Sequence, residues 1–468
     1  MIEPVKDAED TVEDIEAKYI ENVEIEENSV HVSEVFKLAF PSILSMMSIT
    51  VQNFIDTAFI SHVGTPQIAG VGLITWYMWT LLSFFRGLSS VTNSFVARYL
   101  GSRRLKSIGV VAWHFIYLSL IFGLIYFIIG KFTPNILKLI NPPKDAYIYA
   151  VEYSRIRFYE AFFIISLFIF DDFFKGLKRP DISMVIIGIV SGLNIFLDYI
   201  LIFGKFGFPQ LGVKGAALAT VISEFFGFGM FLYIYLSKKY RSKYLTHRLP
   251  HFSLILFKKI LRIGTPAGAQ NILDAGSFLI FGIIVAKMGT DSLAINQIVI
   301  QILSLTFMLG LGFSRAATTL VSAYMGAKNL KNARKSVYIA TFLALSIMLP
   351  VAITFVAMPE LYLRIFTNDK ILIIIGKKIL LIAAIYEVVD AVGLVYSGGL
   401  IGAGDTKFTM WVIMASAWGL FLPATYILGI IFEMGIVGAW IAMAMYIFIF
   451  GIMVFIRFSG KKWEEIKI

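Results

Sequence analysis

The chain contains no cysteine, which excludes disulfides, thiol catalysis and thiolate metal centres. Histidine is nearly as scarce. The five present, His31, His62, His114, His247 and His251, form no close cluster with carboxylates on a helix face, so no zinc or di-iron site is expected. Charge is also thin: 15% of residues are charged and 58% are hydrophobic, where a soluble domain has about 25% and 45–50%. The mean hydropathy is +0.79. These values exclude a soluble globular protein and predict a polytopic membrane protein. A secretory signal is missing too. Residues 3–27 carry Asp or Glu at eleven positions, opposed only by Lys6 and Lys18, where a signal needs a basic start and an apolar core. Residues 1–33 read as an acidic, solvated arm, partly disordered or helical.

What is present is hydrophobic length. A spanning helix takes about 20 apolar residues. The runs predict twelve spans: 34–62, 67–98, 103–130, 146–175, 182–204, 214–237, 256–287, 292–325, 335–358, 370–400, 406–431 and 437–459. A basic stretch, 238–255, separates two halves, 34–237 and 256–468. With the N-terminus inside, most Lys and Arg fall on one side: Arg98, Arg103, Arg104 and Lys106, then Lys175, Lys178 and Arg179, then Lys328, Lys331, Arg334 and Lys335. The positive-inside rule then puts both termini in the cytoplasm. It also accounts for the net charge of +10, so no nucleic-acid partner is needed. The lipid bilayer is the expected environment, and the basic stretch is a candidate contact for anionic lipid.

The halves repeat. Pro41 and Pro266, Gly64 and Gly289, Gly87 and Gly312, and Gly101 and Gly326 are each 225 positions apart, as are Leu105-Lys106 and Leu330-Lys331. Gly212-Val213-Lys214-Gly215-Ala216 is echoed by Gly435-Ile436-Val437-Gly438-Ala439. Six spans is an even number, so both halves start on the same side. The expected fold is all-α: twelve transmembrane helices as two six-helix bundles, related by a pseudo-two-fold axis along the membrane normal. Gly188, Gly192, Gly310, Gly312, Gly398, Gly399 and Gly402 read as close helix contacts.

Four carboxylates lie inside these apolar helices: Asp56, Asp198, Asp274 and Asp390. Each costs about 2.5–3.5 kcal/mol at the centre of a span, so such groups persist where they meet a cavity, a partner or an ion. Asn53 and Asp56 share a helix face, as do Asn194 and Asp198. If these faces meet, double ionisation is disfavoured and the site can hold a proton, or a small hard cation such as Na+. In the second half, Asp274 lies eight residues after Pro266. Tyr386 and Asp390 share a face, with Glu387 three residues before Asp390. The repeat partners of Asp56 and Asp274 are Phe281 and Ile49, so the halves are chemically unlike. This pattern points to ion-coupled transport.

The remaining charges read as structural. Asp171 and Lys175 form a local pair, and Arg155, Arg157 and Glu160 reach the interface. Arg86, Glu224 and Arg315 have no partner legible in sequence. Met46, Met47, Phe54, Trp76, Tyr77, Trp79, Phe84 and Phe85 are candidate linings for an adaptable apolar cavity.

Asn53-x-x-Asp56-Thr57-x-Phe59-Ile60 followed by Gly64, Asn194-x-x-x-Asp198, Gly215-Ala216-Ala217-x-Ala219-Thr220 and Gly402-Ala403-Gly404-Asp405-Thr406-Lys407 occur in that order. From about residue 34 onward the chain resembles the multidrug and toxic compound extrusion (MATE) transporters. Likeness to the DinF-like branch implies an N-lobe cation site at Asp56, Asn194, Asp198 and Thr220, with Pro41 allowing the first helix to bend. Likeness to the NorM-like branch implies a C-lobe cation site at Asp274, Tyr386 and Asp390, Asp274 replacing the usual Glu. The resemblance implies efflux of drug-like, often cationic, amphipathic small molecules in exchange for H+ or Na+. It implies no cofactor, no enzymatic activity, a multi-pass place in the cell membrane and a monomer that suffices. The alternatives are a lipid-linked oligosaccharide flippase of the same superfamily and, further off, an intramembrane enzyme. The flippase would carry a basic central cavity; the enzyme would need a third acid where Lys175 follows Asp171-Asp172.

Overall fold

The computed structural model describes residues 30–140 and 142–466, all helix and short connections, with no strand among the described residues. The acidic arm falls almost wholly outside them. Twelve spans alternate across the bilayer as two bundles of six. Span one is Val32–Ser61, span two Thr65–Gly101 and span three Leu105–Ile140. Span four is broken into Lys144–Arg157, a 3-10 turn Phe158–Glu160 and Ala161–Gly176. Spans five and six are Pro180–Phe203 and Val213–Tyr235. The second bundle runs Leu254–Ala286, Thr290–Gly326, Leu330–Ala357, Lys370–Ala403, then span eleven from Thr406–Ile413 through two π-helical stretches to Ile431, and finally Gly435–Ser459. Ten of these helices are long and apolar enough to cross a membrane on length and composition alone.

The basic stretch between the bundles is not a free tether. Lys238–Tyr244 forms a short helix. Trp113 Nε1 donates to the Thr246 carbonyl at 2.8 Å, and the Ser253 N–H donates to His114 Nε2 at 2.9 Å. Both anchors come from span three, so His114 serves the chain's own backbone.

The 225-residue repeat reappears as geometry. Spans two and eight end in the same cap: the Arg104 N–H reaches the Tyr99 carbonyl at 2.9 Å, and the Asn329 N–H reaches the Tyr324 carbonyl at 2.8 Å. The residues Arg103 and Lys328 take the left-handed conformation at φ 61° and 59°. This is the 6→1 closure that satisfies the last helical carbonyls. The bundles meet through repeat-related contacts. A Cβ on Gly87 would fall 2.3 Å from the Ala267 carbonyl of span seven, and one on Gly312 would fall 2.2 Å from Ile43 Cγ1 of span one. Without a hydrophobic driving force between helices, such close approach supplies the packing.

This seam is tight toward one face only. Span two is buried almost continuously from Gly87 to Ala97, and span eight from Ala316 to Met325. Thr319 Oγ1 donates to Asn93 Oδ1 at 3.0 Å across the seam, and Ser94 Oγ donates to the Ile401 carbonyl at 3.1 Å. Farther along the same seam helices, Phe54, Trp76, Trp79 and Leu305 are exposed. The contacts that Gly87, Asn93, Ser94 and Gly312 make between the bundles lie toward one face.

Two expectations about packing need correction. Gly188 and Gly192 have nothing within 4 Å of an added Cβ, so they mark no helix contact. Gly310, Gly398, Gly399 and Gly402 do approach neighbouring helices closely. Phe85 lines no cavity. It is buried against Phe122 and Tyr126 in the first bundle's core, because its position on span two faces inward.

Candidate functional sites in the two lobes

In the N-lobe, span one carries Asp56 past the proline at 41, which lies inside a helix that continues unbroken. Span five brings Asn194 and Asp198, both fully buried, one turn apart on the face turned to span one. The Asp56 and Asp198 carboxyl groups are in direct hydrogen-bond contact. Two carboxyl oxygens in contact need a proton or a cation between them. Asn194 completes the set. Carboxylate oxygens only accept, so its amide nitrogen belongs toward them, donating to Asp56 Oδ1 at 3.0 Å and Asp198 Oδ2 at 3.3 Å. Its oxygen then faces Thr220 on span six, whose hydroxyl donates to the Ala216 carbonyl at 3.0 Å. Asp198 Oδ1 is buried with no hydrogen-bond partner.

The structure thus joins Asp56, Asn194, Asp198 and Thr220. It does not join Asn53, which is exposed and makes no side-chain hydrogen bond among the described residues. Gln52 takes the expected place, in hydrogen-bond contact with Asp56. It lies four residues before Asp56, a full turn, whereas Asn53 is rotated out of the bundle.

Three further charges reach the N-lobe interior. Arg157 and Glu160 do not reach for the interface: the 3-10 turn that breaks span four rotates them inward, and only Arg155 is exposed. Arg157 pairs with Glu160 at 2.8 Å. Glu160 in turn contacts Glu224, one turn beyond Thr220 on span six. Helical periodicity assumed through residues 157–160 hides this; the four-residue spacing of Thr220 and Glu224 on one helix face is the signal that could have found it.

In the C-lobe, Asp274 of span seven accepts a hydrogen bond from Tyr446 of span twelve at 2.8 Å. Asp390 of span ten is near enough to feel the charges of both Asp274 and Glu387. Glu387 is buried against Thr306 of span eight, and Tyr386 is buried beside it. Tyr446 was not legible in sequence, since nothing in its surroundings distinguishes it from the many interfacial tyrosines. No group of three or more His, Cys, Asp or Glu among the described residues is arranged to hold a metal ion.

Between the lobes, Asp171 pairs with Lys175 at 2.7 Å as the i, i+4 spacing predicts. Arg86 joins them, at 2.6 Å from Asp172 and 3.1 Å from Asp171.

Comparison with known proteins agrees with this architecture. The MatE family model matches residues 41–200 and 266–427, one match per bundle. A protein of Thermotoga maritima described as "Probable multidrug resistance protein NorM" is 30% identical over 436 residues, covering 92% of this chain and 93% of its own length. A protein of the same description from Oceanobacillus iheyensis is 27% identical, covering 86% and 91%. A solved outward-facing MATE family transporter aligns with a TM-score of 0.85 at 23% identity, over 92% of this chain and 95% of that one. A MATE structure in the straight conformation aligns at 0.84 and 24% identity, over the same shares. The chain therefore belongs to the MatE family, a family of membrane transporters and not of enzymes.

Proposed function

We propose that this protein is a secondary active antiporter that exports organic, often cationic, amphipathic compounds in exchange for H+ or Na+. The observation that carries this reading is the Asp56–Asp198 contact, bridged by Asn194 inside the N-lobe. A proton or small cation bound there removes a repulsion that otherwise strains the packing of spans one and five. Its arrival and departure therefore change the relative stability of two arrangements of the lobe. Binding shifts such an equilibrium only through differential affinity for the two arrangements. The C-lobe set, Asp274, Tyr386, Glu387 and Asp390, offers a second place for the coupling ion or for the cationic end of a substrate. The names of the relatives support multidrug substrates.

The lobes are taken as 34–237 and 256–468, joined by the basic linker 238–255. The closed face carries Arg103, Arg104, Lys106, Lys328 and Lys331. By the positive-inside rule it is the cytoplasmic one, which puts both termini inside and opens the cleft outward. A bacterial cell membrane and a functional monomer fit this arrangement.

Ethidium efflux from proteoliposomes under an imposed ion gradient tests the reading. Asp56→Asn combined with Asp198→Asn lowers gradient-driven efflux at least about ten-fold, since the pair can no longer exchange a charge. Wild-type rates in the double variant would exclude the N-lobe as the coupling site. The same pair of measurements on Asp274→Asn and Asp390→Asn tests the C-lobe.

A further inference from the structure

One charged group at the lobe boundary is only loosely paired. Asp172 Oδ2 receives Arg86 at 2.6 Å and Ser89 Oγ at 3.3 Å, while Asp171 Oδ2 receives Arg86 at 3.1 Å and Lys175 at 2.7 Å. All of these donors come from the N-lobe. From the C-lobe, Arg315 on span eight approaches Asp172 Oδ1 no nearer than 3.9 Å. Its side chain donates no hydrogen bond among the described residues. Three cations thus face two carboxylates, and the excess positive charge lies on the C-lobe side.

Position makes that charge available. Arg315 is one turn from Thr319, whose bond to Asn93 closes the seam, and Arg86 is two turns from Asn93 on the other helix. Both arginine side chains keep 17% of their surface, where Asp172 keeps none. They lie beside the interlobe contacts of Gly87 and Gly312. A guanidinium presents a planar fork of N–H donors that fits a carboxylate or phosphate through two parallel bonds. Asp172 Oδ1, which has no hydrogen-bond partner, holds that fork only loosely at 3.9 Å, and an anionic ligand group would balance the third cation.

We propose that Arg315, backed by Arg86, is an anion subsite at the lobe boundary, taking the carboxylate or phosphate group of an amphipathic substrate. The proposal rests on the reading of the cleft as the substrate path. An amphiphile carrying both charges is held by its anionic end at Arg315 and by its cationic end at the lobe acids.

Two dyes with one skeleton test it. Rhodamine 110 has a free carboxylate, and rhodamine 123 is its methyl ester. Binding of each to the purified full-length chain in phosphatidylcholine nanodiscs is read by fluorescence polarisation, without any ion gradient. Arg315→Gln weakens rhodamine 110 about ten-fold or more and changes rhodamine 123 by less than about two-fold. Arg315→Lys, which keeps the charge but not the fork, falls between. Because Asp172 keeps Arg86 at 2.6 Å when Arg315 is replaced, the Gln variant keeps its fold, checked by an unchanged melting temperature. An equal loss for both dyes, or no loss for rhodamine 110, overturns the proposal. Adding phosphatidylglycerol to the discs separates the sources of the anion. If it competes with rhodamine 110 in the wild type and not in Arg315→Gln, a lipid headgroup occupies the site; if it does not compete, the site serves soluble carboxylates. Loss of coupling is read separately in the efflux assay, so failure of the antiport reading and failure of this subsite give different results.

Discussion

Gly101 and Gly326 each press against the other's helix at the closed face of the transporter. A Cβ on Gly101 would lie 1.9 Å from the Ala323 carbonyl oxygen, and a Cβ on Gly326 would lie 2.1 Å from the Arg98 carbonyl oxygen. Ala323 and Arg98 are themselves 225 positions apart, so this is one contact made twice, by symmetry. The obstructing atoms are backbone and cannot rotate away.

Gly326→Ala therefore forces spans two and eight apart and weakens the closed face by about 1–3 kcal/mol. The cysteine-free sequence supplies the assay. Ser322→Cys places a thiol at a fully buried position in this seam. It reacts slowly with a membrane-impermeant maleimide in the otherwise native chain. Combined with Gly326→Ala it reacts faster, as the seam opens more often. Equal labelling rates would mean that the seam is held by other contacts.

Tyr446→Phe removes the one hydrogen bond that Asp274 receives from a side chain among the described residues. A buried acceptor left unsatisfied costs about 1–3 kcal/mol, visible as a lower melting temperature in detergent. If the C-lobe acids bind the coupling ion, efflux falls along with stability. If the N-lobe alone couples, stability falls and the gradient dependence of efflux stays unchanged.

Arg86→Gln strips the fully buried Asp172 of its closest cation. Breaking a buried pair from one side costs about 3–5 kcal/mol, so this variant melts well below the wild type. Arg364→Gln is the control. Its pair with Glu360 is open to solvent, where ion pairs contribute little, and no measurable change in melting is expected. The Lys377 ammonium and the Arg364 guanidinium hold the Glu360 carboxyl below its ordinary range. A depressed acid adds stability only above its unfolded value and loses it as pH falls through the depressed one. Any small effect of Arg364→Gln therefore shows at neutral pH and vanishes in acid.

The number of spans, their duplication and the two sets of candidate acids were legible in the sequence. Hydrophobic length against a bilayer is a strong constraint, and glycines at a constant 225-residue interval mark a helix contact, as at Gly87 and Gly312 or Gly101 and Gly326, or a positive-φ turn, as at Gly64 and Gly289. The Asn194–Asp198 spacing also fixed a shared face, because a helix holds residues four apart on one side. Only the tertiary structure decided which faces meet. It put Gln52 rather than Asn53 beside Asp56, and it turned Arg157 and Glu160 inward at a 3-10 break that no periodicity announces. It brought Tyr446 from 172 residues away to Asp274, and it left Arg315 short of the carboxylate it faces. Contacts of that kind depend on how helices distant in sequence rotate and cross, and a local pattern carries no record of either.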